Sequence, residues 1–298
     1  MEKRKLGQTG LEISVLGFGG AEIGYENATP GDVETLLGAA LDAGLNVIDT
    51  AECYANSEEL IGNAVAHRRD DFYLFTKCGH AADFEEDDWD VAMLRKSIDR
   101  SLERLKTDRL DLIQLHTCSK EMLERGEVIE VLEEARAAGK TRFIGYSGDN
   151  EAAIYAIECG RFDSLQTSVN IADIGDVEKK VPLAFQAGMG VIAKRPIANA
   201  AWKTGSQKPE NGYVQPYWER LQALQYDFFN DSQRAVSVAL RWTLAQAGVA
   251  TAIVGTKNPQ RWAQNAQLLE VGALPHADRH QIVRRWHEVA QADWSGQS

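Results

Sequence analysis

Residues 32–49 read Asp32-Val33-Glu34-Thr35-Leu36-Leu37-Gly38-Ala39-Ala40-Leu41-Asp42-Ala43-Gly44-Leu45-Asn46-Val47-Ile48-Asp49. Val33, Leu36, Leu37, Ala40 and Leu41 recur at helical spacing, which predicts a helix over 32–43. Gly44 then suits a C-terminal cap. Val47-Ile48-Asp49 follows as a short apolar run that ends on a carboxylate. The rest of the chain repeats this plan. Strands are expected at 14–18, 47–49, 72–76, 110–115, 141–146, 164–169, 190–193 and 251–254, with further helices over 90–105, 122–138 and 233–247. The strand candidates are continuously apolar, the pattern of strands covered on both faces.

Eight strands, each followed by a helical segment, predict an α/β fold: a (β/α)8 TIM barrel forming a single domain over residues 1–298. Residues 1–12 are expected to form an N-terminal β-hairpin, and the last stretch a C-terminal helical tail. A doubly wound open sheet is the alternative. The count of eight and the lack of an early GxGxxG fingerprint favour the barrel. The polar segment 200–215 follows the seventh strand and should lie over the C-terminal mouth, where barrel sites are built.

Composition narrows the function. The chain has 298 residues, with 32 basic and 44 acidic side chains and a net charge of −12. That balance argues against nucleic-acid or anionic-membrane partners, which need basic surface. The first twenty residues hold neither a signal-peptide core nor a transmembrane run. Four cysteines without a close CxxC pair do not make a disulfide framework, so a cytoplasmic protein is expected. No metal site is expected: His276, His280 and His287 share helical spacing without matching Cys or acidic partners.

The chemistry lies where strands end. Asp49 ends the second strand, with Tyr54 just beyond it; Lys77 ends the third and His116 the fourth. Adjacent barrel strands place these groups on one side of the mouth. A phenol with a pKa near ~10 is a poor acid at neutral pH. A neighbouring ammonium lowers that value, which gives Lys77 a role beside Tyr54. Asp49 can hold Lys77 in place, and His116 can donate a hydrogen bond to an oxygen that becomes negative.

Asp49-Thr-Ala-Glu-Cys-Tyr54-Ala-Asn-Ser-Glu58-Glu-Leu-Ile-Gly62 resembles the signature of the aldo-keto reductases. Thr76-Lys77 and Asp111-Leu-Ile-Gln-Leu-His116 are similar to that family's other catalytic segments, in order. The resemblance implies a TIM barrel that reduces an aldehyde or ketone to an alcohol by hydride transfer from a nicotinamide cofactor, without a Rossmann domain. Tyr54 would be the proton donor. The expected partner is a small carbonyl compound, and the expected state a monomer or small homo-oligomer.

After the eighth strand, Gly255-Thr256-Lys257-Asn258-Pro259-Gln260-Arg261-Trp-Ala-Gln264-Asn265 resembles the family's segment for the adenosine half of the cofactor. Thr256, Lys257 and Arg261 suit a 2′-phosphate, with Pro259 in the first turn of a helix. Gln264 and Asn265 match adenine-contacting positions. Gly255 stands where many relatives have lysine. NADP(H) is the expected cofactor, with NAD(H) open. The resemblance also assigns cofactor contacts to Gly20, Ala21 and Asp49, and gives Ser147 and Gln166 to the carboxamide. Gly148 replaces an expected Asn. Lys194-Arg195-Pro196-Ile197 aligns with a segment that usually opens on an aromatic residue, so Lys194 stands where a ring would stack on nicotinamide. Trp89 and Trp202, with Tyr54 and His116, are candidate substrate-pocket walls.

Cys53, Cys78 and Cys118 flank the proposed site, and strand alternation turns Cys78 away from Lys77. Two other readings stay open. One is a barrel that binds NADP(H) as a sensor with little turnover. The other is an isomerase or aldolase using Lys77 as a Schiff base.

Overall fold

The helix-then-strand alternation closes on itself. In the computed structural model, which describes residues 1–297, an antiparallel hairpin of β1 (Lys3–Lys5) and β2 (Glu12–Ser14) precedes eight parallel strands. These are β3 (Leu16–Gly19), β4 (Val47–Asp49), β5 (Tyr73–Cys78), β6 (Leu110–His116), β7 (Thr141–Ser147), β8 (Ser164–Ser168), β9 (Gly190–Lys194) and β10 (Val249–Gly255). They pair in chain order, and β10 returns to β3 to close the barrel. Around it lie α1 (Ala21–Tyr25), α2 (Pro30–Asp42), α3 (Ser57–Val65), α4 (Val91–Arg104), α5 (Lys120–Arg125), α6 (Glu127–Ala137), α7 (Asn150–Glu158), α8 (Ile174–Gln186), α9 (Gln215–Leu224), α10 (Ser232–Leu244), α11 (Arg261–Leu269) and α12 (His276–Val289).

Local chemistry sets the element ends. Thr29 caps α2 by accepting from the Asp32 amide, and Pro30 takes the first helical turn. Asp90 accepts from the Ala92 and Met93 amides at the start of α4. Gly44, Gly139 and Gly248 follow their helices at positive φ, the left-handed exit that favours glycine.

Four sequence expectations shift. The helix expected over 122–138 is broken at Gly126, whose φ of +85° ends α5 and starts α6. The first barrel strand starts at Leu16, because Ser14 pairs with Lys3 in the hairpin. The helix expected from Pro259 starts at Arg261; Thr256 Oγ1 and Asn258 Oδ1 accept from the Asn258 and Gln260 amides and hold 256–260 as turns. The segment 200–215 expected to be a polar cover begins buried, at Ala200, Ala201 and Trp202 beyond a kink at Asn199 and Ala200, and turns mostly exposed from Lys203 to Tyr213.

Strand alternation sorts side chains into an inner and an outer set. Phe18, Ile48, Leu74, Ile113, Leu165 and Ala193 face the surrounding helices in the main core. Val47, Phe75, Leu112, Ile192 and Ile253 fill the barrel interior, joined by Leu6, Leu11 and Ile13 of the hairpin. The hairpin therefore plugs the N-terminal end with apolar side chains. Two residues further along the same inner faces stand Asp49, Lys77, Gln114, Lys194 and Gly255, so the interior turns polar at the mouth.

Candidate active site

One buried carboxylate organises the first side of the mouth. Lys77 Nζ lies 2.7 Å from Asp49 Oδ2 and donates to the Thr50 carbonyl at 2.7 Å. Both side chains are almost fully enclosed. Gln166 Nε2 donates to Asp49 Oδ2 at 3.0 Å, and Gln114 Nε2 donates to Gln166 Oε1 at 2.9 Å. The turn after β4 sets Tyr54 against this pair: Lys77 Nζ is 5.1 Å from the centre of the Tyr54 ring. The His116 ring meets Tyr54 edge-on, with centres 5.6 Å apart. The four residues expected to carry the chemistry thus converge on one side of the mouth.

Their protonation follows from burial. Desolvation pushes the Tyr54 phenol well above its ordinary pKa, and the negative charge of Asp49 adds to that. Lys77 was expected to lower it, but its ammonium is held by Asp49 and the Thr50 carbonyl, and burial prevails. His116 is driven well below the ordinary imidazole range, first by burial and then by the charges of Lys77, His80, Lys194 and Arg195. It is a neutral ring with one N–H to donate.

The second side of the mouth is built on another carboxylate. Asp149, buried after β7, takes Lys180 at 2.8 Å, Lys194 at 3.0 Å and Arg195 at 3.7 Å. It also accepts from Thr167 Oγ1 at 2.7 Å and from the Ser168 amide at 3.0 Å. The cations hold its pKa far below the usual range against the opposing effect of burial. Arg195 and Ser168 also donate to the carbonyl of Gln297, and Gly296 packs in the slot between Asp149 and Asp176. A Cβ on Gly296 would stand 2.3 Å from Asp176 Oδ2, so the close approach requires glycine.

The residues expected to hold a cofactor ring this mouth. Gly20 sits between β3 and α1, donating to the Asp49 carbonyl and accepting from Ser57 Oγ, with Ala21 next to it. Ser147 ends β7 beside Gln166, where its Oγ is buried without a hydrogen-bond partner. Gln114 Oε1 is buried and unpartnered as well. Orphaned polar atoms of this kind suit a bound carboxamide, so the residues fit a nicotinamide group. Pro196 and Ile197 follow Lys194 and Arg195 at the end of β9. Thr256, Lys257, Arg261 and Gln264 line the exposed turn and first helical turn after β10, while Asn265 is buried.

Two expected pocket walls diverge. Trp89 packs edge-on against His80, whose ring lies 5.2 Å from that of His116. Trp202 is instead buried and stacked on Phe229, 5.2 Å between ring centres. Sequence reading missed His80, which Asp88 and Thr117 hold at 3.0 and 3.2 Å. It also missed the contact of Cys53 Sγ with His116 Nδ1 at 3.5 Å. The positive φ of Trp89 and Thr117 builds this wall, and no residue pattern announces it. Cys78 points outward into the core, as alternation required. His287 pairs with Glu178 and not with the other two histidines of its helix.

Comparison with known proteins agrees with this architecture. Residues 15–286 match the model of the aldo/keto reductase family. The holo form of the aldo-keto reductase AKR11C1 from Bacillus halodurans superposes with a TM-score of 0.83 at 28% identity, covering 96% of both chains. L-galactose dehydrogenase of Arabidopsis thaliana is 29% identical, over 92% of this chain and 90% of the relative. 6-dehydroglucose reductase of Novosphingobium aromaticivorans is 28% identical, over 90% of each. The chain belongs to the aldo/keto reductase family, and it is an oxidoreductase that uses a nicotinamide cofactor. No described helix is long and apolar enough to cross a membrane.

Proposed function

We propose that the chain reduces an aldehyde or ketone to an alcohol, with Tyr54 as the proton donor. The observation that carries this reading is the convergence of Tyr54, Lys77, Asp49 and a neutral His116 on one side of the mouth. A reduced nicotinamide cofactor, when bound, would supply the hydride. Ser147 and Gln166 would hold its carboxamide, and residues 255–265 its adenosine half.

Each residue then has a distinct task. His116 donates its N–H to the carbonyl oxygen and polarises it, and a neutral ring does so without giving up a proton. The Tyr54 phenol keeps its proton in the resting site, because burial raises its pKa. An alkoxide is a much stronger base than a phenolate, so proton transfer from Tyr54 to the nascent alkoxide runs downhill. The phenolate left behind lies beside the Lys77 ammonium, which Asp49 and the Thr50 carbonyl fix in place.

The names of two relatives put sugar-type carbonyls among the substrates to try. The test is oxidation of NADH or NADPH on adding a panel of aldehydes, ketones and sugars to the purified chain. Tyr54→Phe should lower turnover by about two orders of magnitude or more while cofactor binding persists. Near-normal turnover in that variant would remove Tyr54 from its role. Binding without turnover in the wild type over the whole panel would favour the sensing barrel.

A further inference from the structure

The barrel seam carries a charge that no expected site residue accounts for. At the seam Gly19 of β3 pairs with Gly255 of β10, so neither strand end puts a side chain over the groove. Glu22, in α1, fills the space instead. A Cβ built on Gly255 would stand 1.5 Å from Glu22 Oε2 and 2.6 Å from Oε1. The carboxylate therefore rests directly on the backbone of Gly255, and no larger residue fits there while Glu22 keeps this position. Glycine at 255 and a carboxylate at 22 form one coupled arrangement.

Among the described residues no cation forms an ion pair with that carboxylate. Burial holds its pKa up, and the groups that bear on it are its own amide and a second carboxylate, Glu26. Lys257, one of the candidates for a phosphate, lies 3.4 Å from Glu26 Oε2 and donates to the Glu26 carbonyl at 3.3 Å. The start of the adenosine segment thus meets a partly buried carboxylate on one side and a cation already engaged on the other.

We infer that Glu22 makes this groove select the nicotinamide dinucleotide that lacks a 2′-phosphate. A carboxylate beside the adenosine ribose accepts its hydroxyl hydrogens, as acidic residues do in other dinucleotide sites. In its ionised form the same carboxylate repels a phosphate dianion, and in a partly desolvated groove that repulsion is poorly screened. The inference rests on the proposed assignment of residues 255–265 to the adenosine half, and it replaces the expectation of NADP(H) with NAD(H).

The experiment measures dissociation constants of NADH and NADPH with the purified full chain, by cofactor fluorescence and without substrate. NADH should bind about tenfold more tightly than NADPH, one decade being the effect of a single strong charge contact. Glu22→Gln keeps the shape and removes the charge. It should tighten NADPH about tenfold while moving NADH by less than about threefold. Wild-type preference for NADPH, or an equal shift of both cofactors in Glu22→Gln, overturns the inference and leaves the reductase reading standing. Failure of both cofactors to bind overturns the two together.

Discussion

Two buried lysine–aspartate pairs face each other across the barrel mouth, and they are built on opposite principles. Asp49 meets one cation, Lys77, and completes its coordination with the amides of Gln166 and Gln114. Asp149 meets three cations, Lys180, Lys194 and Arg195. The first arrangement has a single cation, so losing Lys77 leaves the carboxylate with neutral amides alone. The second shares one negative charge among several positive ones, so each cation is individually dispensable and the carboxylate is not. A lone pair holds one ammonium beside the Tyr54 ring; a shared carboxylate holds a whole wall in register.

Substitutions can break that comparison. The largest effect belongs to Asp149→Asn, which leaves Lys194 and Arg195 without their carboxylate and Lys180 with Asp176 alone. It should cost about 5 kcal/mol, the upper end for breaking a buried ionic arrangement, read by urea unfolding. A loss below about 1 kcal/mol would show that the cations find other partners. Lys77→Met comes next. It leaves Asp49 uncompensated and should cost about 3 kcal/mol, together with most of the turnover. Retained stability would mean that Gln166 and Gln114 suffice to hold the carboxylate.

Lys194→Met should not destabilise the fold at neutral pH, because Lys180 and Arg195 remain on Asp149 and burial already disfavours the Lys194 charge. Its signature is in the pH dependence. Burial lowers the Lys194 pKa to about 8, from 10.5, against the pull of Asp149. Between those two values the unfolded chain binds more protons than the folded one, so stability from this position rises with pH from about 8 to about 10.5. Lys194→Met should flatten that rise in unfolding curves taken across the window; an unchanged slope would place the titration elsewhere. The smallest effect is Cys53→Ala, which removes the sulfur from His116 Nδ1. A lost neutral hydrogen bond of about 1 kcal/mol predicts about a fivefold fall in kcat. A fall of a hundredfold would show that the thiol fixes the imidazole more firmly than one such contact allows.

Much of the catalytic side was legible in the chain, and the reason is geometric. Asp49 and His116 end their strands and Lys77 stands one residue before the end of β5, all on the inner face, and such a position is a fixed address in a barrel, so residue type plus position placed them. The wall over them was not legible. His80 reaches His116, with Trp89 packed behind it, through a loop with left-handed backbone at Ala82 and Trp89 and a glycine at 79 whose missing side chain admits the Trp89 ring. Such backbone states leave no periodic trace. Trp202 was misplaced for a related reason: a polar stretch suggested an exposed cover, whereas the turn over Ala198–Thr204 folds its small residues and its indole into the core. The break at Gly126 was hidden because the apolar pattern of the two helices runs on through it.

The barrel seam has a consequence for how the protein is made. β3 pairs with β10, and Arg4 donates to the Leu244 carbonyl across 240 residues of sequence. On a ribosome, the first stave emerges long before the last. Until β10 appears, the half-finished sheet carries two unpaired edges, which invite association with other nascent chains. The final ordering step is therefore one of the longest-range contacts in the molecule, and such contacts form slowly. Rare, slow translation near the end of the message would lengthen the vulnerable interval, and a chaperone would matter most in that interval.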